Sequence, residues 1–172
     1  MGTFSLQCHP KTPALAVKGI AVDWIARGDG LELAYRVEGA GRLVLPASAA
    51  PERKDDLWKT TCFELFLGQA GTTYQEFNFS PSSRWASYAF SDYRAGGHDA
   101  AMPVAPVITM EGATCRVRLP LSVLAGAVCG GLTAVIEEEG SHLSYWALAH
   151  GARPDFHRRS CFTLAIGAAE GA

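Results

Sequence analysis

Along this chain apolar and polar residues alternate in short runs, and each run stops at Gly, Pro, Ser or Asn. Alternation with a period of two puts one set of side chains on each face of an extended strand. Ile20, Val22 and Trp24 share one face, with Ala21, Asp23 and Ile25 opposite. Leu31, Leu33, Tyr35 and Val37 alternate in the same way with Glu32, Ala34, Arg36 and Glu38. The intervening RGDG, Arg27 to Gly30, supplies a hairpin turn. Further strands are predicted at 43–46, 61–68, 73–80, 84–91, 104–111, 113–119, 131–138, 143–149 and 160–166. Helical periodicity is confined to Leu121–Val128, after Pro120, and to a turn within the loop 46–54. The stretch DYRAGGHDAAMP at 92–103 reads as a long surface loop of the kind that lines binding sites. Many strands with at most one or two short helices predict an all-β fold, an antiparallel β-sandwich.

Length narrows this to a single domain over residues 1–172, because a chain of this size builds one core. Hydrophobic residues make up 48% and charged residues 19%, which permits a buried core. A net charge of −2 with scattered basic residues gives no reason to expect nucleic acid or an anionic membrane as partner. No basic start precedes an apolar run at the N-terminus, and no stretch approaches the ~18 apolar residues of a membrane helix. The five cysteines are odd in number and none is spaced CxxC, so the thiols are expected reduced and the protein cytoplasmic. Oligomeric state is not legible.

The most informative stretch is Leu57 to Ser80, LWKTTCFELFLGQAGTTYQEFNFS. Phe63, Leu65 and Leu67 point one way; Cys62, Glu64 and Phe66 point the other. In the next run Phe77 and Phe79 share a face, and Tyr74, Glu76 and Asn78 share the opposite one. GQAGTT joins the two runs as a hairpin. With the leucines and phenylalanines turned to the core, Glu64, Tyr74, Glu76 and Asn78 gather on the other face. Trp58 has the parity of Glu64 and joins them if the strand starts early. An aromatic plate with carboxylates and an amide suits a sugar: rings cover the apolar C–H face, and the polar groups bind hydroxyls. A half-exposed sheet face with its glutamates paired to basic neighbours shows the same alternation. Spacing leaves both readings open.

RKDDLWKTTCFELFL (Arg53 to Leu67) and YQEFNFSPSSRWASYAFSDYR (Tyr74 to Arg94) resemble the DOMON-like superfamily, in its bacterial branch grouped with family 9 carbohydrate-binding modules. SYWALAHGARPDFHRRSCF (Ser144 to Phe162) is similar to the same branch. The resemblance implies a jelly-roll or immunoglobulin-like sandwich that binds sugar or haem in a pocket on one sheet, without catalysis. It implies Trp58 as one stacking platform, Glu64 as the carboxylate beneath it, and Trp146 as the second platform. The ligand is then a saccharide or sugar-containing small molecule, with Glu76 and Asn78 holding hydroxyls, Arg94 near the rim and Tyr88 at the pocket mouth. No cofactor is required, although calcium or haem occurs in the family.

Other readings compete. Haem would use a Met and a His as axial ligands, from Met102 and Met110 and from His9, His98, His142, His150 and His157. Glu64 and Glu76 are an acid/base pair for glycoside hydrolysis if their carboxyls lie ~5–9.5 Å apart. His150, Asp155 and His157 are either a site or a structured turn in which Asp155 accepts backbone N–H bonds. Arg53, Asp56 and Arg94 are either ligand contacts or a salt-bridge set tying loop 46–57 to loop 92–103. Glu137 to Glu139 reads as a strand end followed by a solvated turn. None of GxSxG, Walker A, GxGxxG or HExxH occurs.

Overall fold

A computed structural model of the chain describes residues 1–167. Twelve strands form in chain order: β1 Gly2–Cys8, β2 Gly19–Arg27, β3 Gly30–Glu38, β4 Cys62–Gln69, β5 Tyr74–Phe79, β6 Trp85–Phe90, β7 His98–Asp99, β8 Val107–Glu111, β9 Thr114–Pro120, β10 Ala127–Glu138, β11 His142–Ala147 and β12 Leu164–Ala165. Every pairing is antiparallel. The strands make one continuous curled sheet in the order β7-β6-β5-β4-β10-β11-β1-β2-β3-β9-β8, with β12 added to β10. Among the described residues there is no α-helix, only short 3-10 turns.

β1 is the corner of the curl. Its residues Gly2 to Leu6 pair with β2, while Gln7 and Cys8 pair with β11. The two halves therefore face each other across one core. Leu6, Val22, Leu33 and Tyr35 come from one side, and Phe63, Leu65, Phe77, Phe79, Leu132 and Ile136 from the other, all buried. Tyr35 spans the core: its ring lies 5.0 Å from that of Phe63, and its hydroxyl donates to the Glu64 carbonyl at 2.8 Å. The hairpin between β2 and β3 closes through Gly28 and Asp29, with φ 60 at Gly28, a conformation that glycine adopts without a Cβ penalty.

Several expected elements differ. The alternation of Phe4 and Leu6 with Thr3 and Ser5 makes a first strand, β1, that the sequence reading omits. The 43–46 run keeps one isolated bridge, Leu43 to Glu138, because Pro46 has no N–H to continue a ladder. The predicted helix at 121–128 is a 3-10 turn, Leu121–Leu124, and β10 starts at Ala127. The strand at 160–166 shrinks to a 3-10 turn, Arg159–Cys161, and the two-residue β12. Residues 168–172 of the expected domain lie outside the described residues.

The 137–139 segment is the expected strand end and turn, with Glu139 exposed, but Glu138 is not solvated. Glu138 is fully buried, and its carboxylate accepts the backbone N–H groups of Leu15 at 2.6 Å, Ala16 at 2.6 Å and Val17 at 3.1 Å. These bonds hold its pKa below the usual carboxylate range against the opposing effect of burial.

Candidate functional site

The face of β6-β5-β4-β10-β11 that points away from the core floors a cavity of about 660 Å³. Strand register decides what reaches it. Glu64 lies opposite Asn78 and Thr133, Phe66 opposite Glu76, Glu76 opposite Tyr88, and Val135 opposite Tyr145. Glu64, Phe66, Glu76, Tyr88, Val135 and Tyr145 therefore open on the same side. Two loops build the walls. The 3-10 turn Leu57–Lys59 brings Trp58 beside Asp55 and Asp56; the chain after β11 brings Pro154, Phe156 and His157. Phe90 and Arg94 complete the lining.

The floor is a hydrogen-bonded carboxyl cluster. Thr133 Oγ1 donates to Glu64 Oε2 at 2.9 Å, and Asn78 Nδ2 donates to Glu76 Oε1 at 3.0 Å. His157 Nε2 lies 3.6 Å from Glu76 Oε2. Behind it, the Arg94 N–H donates to the Tyr74 hydroxyl at 3.2 Å, and that hydroxyl lies 2.8 Å from His157 Nδ1. A Tyr74 hydroxyl that donates to Nδ1 assigns the imidazole proton to Nε2, facing Glu76. Arg94 holds φ 51, a left-handed conformation unusual for a side chain of its size, while its guanidinium pairs with Asp155 at 2.9 Å.

Burial sets the charges. It raises the Glu76 pKa from 4.5 to about 7, against the opposing Asn78 hydrogen bond and the field of Arg94. It raises Glu64 well above the ordinary carboxylate value too, helped by the neighbouring Glu76. It lowers His157 to about 4, with Arg94 acting in the same direction. His157 and Glu76 satisfy the distance criterion for an ion pair, yet a lowered histidine and a raised glutamate disfavour the charged form of each. The neutral forms of the imidazole and of the two buried glutamates are therefore favoured. Asp55 goes the other way: hydrogen bonds from Tyr88 at 2.6 Å and Arg53 at 3.0 Å lower it.

Of the residues singled out from sequence, Trp58, Glu64, Glu76, Tyr88, Arg94, Asp56 and His157 line the cavity. Trp58 arrives on a 3-10 turn and not on an early start of β4. Tyr74 and Asn78 sit behind the surface: Tyr74 is covered by Phe90, stacked at 4.7 Å, and Asn78 is fully buried. Trp146 is a correction. It is opposite Ala134, faces the core and is buried there, with its indole N–H on Ser144. Tyr145, one residue earlier, takes the cavity side. Of the expected loop-tying salt bridges, Arg53 pairs across to Asp99, but Arg94 pairs with Asp155 and Asp56 with Lys59. His150 lies elsewhere, against the Gln7 carbonyl at 2.7 Å and edge-on to His9. Asp155 accepts the His157 N–H at 3.1 Å, the turn role read from sequence, and also anchors Arg94.

Phe66, Phe90, Val135, Tyr145 and Phe156 were not singled out. Parity with Glu64 and Glu76 would have found Phe66 and Phe90; the wall residues have no local signal. Met102 and Met110 pack against the core, so the cavity holds His157 without a methionine. A Met–His haem pair does not fit it. Among the described residues no group of three or more His, Cys, Asp or Glu is placed to hold a metal ion. Nor is any helix there long and apolar enough to cross a membrane.

No family model and no curated protein matches the sequence. A solved structure from Bacteroides uniformis ATCC 8492, a "putative carbohydrate-binding protein", shares the fold with a TM-score of 0.64 at 15% identity. The match covers 94% of this chain and 84% of that one. At that identity the likeness speaks for the fold alone, an all-β domain.

Proposed function

We propose that the chain is a non-catalytic binding domain, a β-sandwich of the DOMON-like type, whose cavity takes a saccharide or another small polyhydroxylated molecule. The observation that carries this reading is the union, in one cavity, of aromatic surfaces with two buried carboxyl groups. Trp58, Tyr88 and Tyr145 offer flat apolar area, and Glu64 and Glu76 offer polar atoms deeper in. A saccharide ring needs both, because its C–H face stacks while its hydroxyls must replace the water they leave. The volume of about 660 Å³ lies within the ~300–1,000 Å³ of small-molecule sites. The carbohydrate-binding description of the structural neighbour adds support in kind.

A glutamate that keeps its proton can donate to a hydroxyl as well as accept from one, so the pair accommodates both polarities of a sugar OH. Calorimetric titration with a panel of neutral and charged saccharides tests the reading. Binding is expected for at least one of them, and Tyr145→Ala is expected to abolish it. Retention of full affinity in that variant would overturn the placement of the site.

A further inference from the structure

The charges around the cavity close on themselves, with one exception. Asp55 is paired with Arg53, Asp56 with Lys59 at 2.7 Å, and Arg94 with Asp155. Glu64 and Glu76 have no lysine or arginine partner among the described residues, and His157 is held neutral beside them. Glu64 is 2% exposed, yet it opens on the cavity. Its Oε2 is engaged by Thr133, and no donor among the described residues reaches Oε1. Asn78, directly opposite, keeps a buried Oδ1 with no partner. A buried carboxyl without a cation is unfavourable in its charged form and so holds its proton; a counter-charge from the ligand would stabilise the charged form. Around them stand Trp58, Phe66, Tyr88, Phe90, Tyr145 and Phe156, whose ring faces attract cations.

We infer that the cavity selects a cationic saccharide, an amino sugar whose free ammonium seats on the Glu64–Glu76 pair while its ring lies against the aromatic wall. The inference rests on the saccharide reading and narrows it. Neutral sugars leave the pair to keep its proton. An ammonium displaces that proton, so binding releases it to solvent. Tyr35, Cys62, Tyr74, Tyr88, His157 and Arg94 are the other titratable or charged groups around the pair, with Asp55 and Asp56 also on the cavity wall. Of these only Arg94 carries positive charge, and it is neutralised by Asp155.

The test compares a glucosamine oligomer bearing free amines with the N-acetylglucosamine oligomer of the same length, by calorimetry in two buffers of different ionisation enthalpy. The free amine is expected to bind roughly tenfold tighter, the margin of a charge-assisted over a neutral hydrogen bond. Its apparent enthalpy is expected to shift with the buffer, reporting proton release. In the variant combining Glu64→Gln and Glu76→Gln the preference should vanish. Equal affinity, or preference for the acetylated oligomer, would overturn the inference and leave the saccharide reading standing. A preference that survives in the double variant also overturns it, because the charge would then be read at Asp55 or Asp56. Should no member of either series or of the neutral panel bind, the saccharide reading itself fails. The acetylation comparison needs no variant, so it stands even if the double variant does not fold.

Discussion

The Tyr74 hydroxyl lies 2.8 Å from His157 Nδ1 across 83 residues of chain, and this contact joins the cavity floor to its wall. Tyr74 belongs to β5; His157 belongs to the loop that also carries Phe156. Because the same hydroxyl accepts the Arg94 N–H, one side chain positions both the neutral imidazole and the arginine. Tyr74→Phe removes the hydroxyl and leaves the part-buried His157 Nδ1 and Arg94 N–H short of a partner. The expected cost is about 1–3 kcal/mol of stability, together with weaker binding. Chemical denaturation checks the first. A variant as stable as the parent would mean that the hydroxyl does not hold the wall.

Glu76 makes stability depend on pH with a definite sign. Its folded pKa, about 7, lies above the ordinary 4.5, so the folded chain holds a proton that the unfolded chain releases. The contribution is full below about 4.5 and is lost as pH rises through about 7. His157 acts oppositely. Its folded value of about 4 lies below 6.5, so its contribution is present above 6.5 and lost as pH falls towards 4. The two offset each other in the parent between these values, which makes the difference between parent and variant the useful quantity. Glu76→Gln should gain stability relative to the parent by about 1–3 kcal/mol between pH 4.5 and pH 8. Parallel pH profiles for parent and variant would contradict the buried assignment.

Trp58 and Trp146 separate binding from folding. Trp58 is 46% exposed on the rim; Trp146 is 4% exposed in the core. Trp58→Ala should lower ligand affinity with little change in melting temperature. Trp146→Ala should destabilise by about 3–5 kcal/mol, the usual cost of emptying a core aromatic position. If Trp146→Ala folded normally and lost only binding, the core assignment would be wrong.

Glu138 is the clearest structural charge. Glu138→Ala strips acceptors from three backbone N–H groups and should cost about 2–4 kcal/mol, measured by denaturation at neutral pH. Its lowered pKa gives a contribution present above the unfolded value and lost as pH falls through the folded one. A cost that does not diminish under acid conditions would contradict this.

The parity of 62–67 and 74–79 was legible, because alternation fixes which side chains share a face before any partner strand is known. That rule placed Glu64 and Glu76 together. The tryptophan went wrong where likeness to a family replaced parity. Along 143–147 Tyr145 and Trp146 must face opposite ways, and the bulkier indole fills the core while the tyrosine lines the cavity. The walls were not legible. His157 meets Tyr74, and Asp155 meets Arg94, only after the curled sheet brings distant loops together. Glu138 was missed for the same reason, since its partners lie in the 15–17 segment more than a hundred residues earlier.

Chemical-shift mapping of the labelled protein, titrated with the tightest-binding saccharide of the panel, asks directly whether this cavity is the site. Perturbed amides are predicted to cluster at Glu64, Glu76, Tyr145 and His157, with the opposite half of the sheet silent. Perturbations centred on β2, β3 and β9, or none with any saccharide, would contradict the assignment.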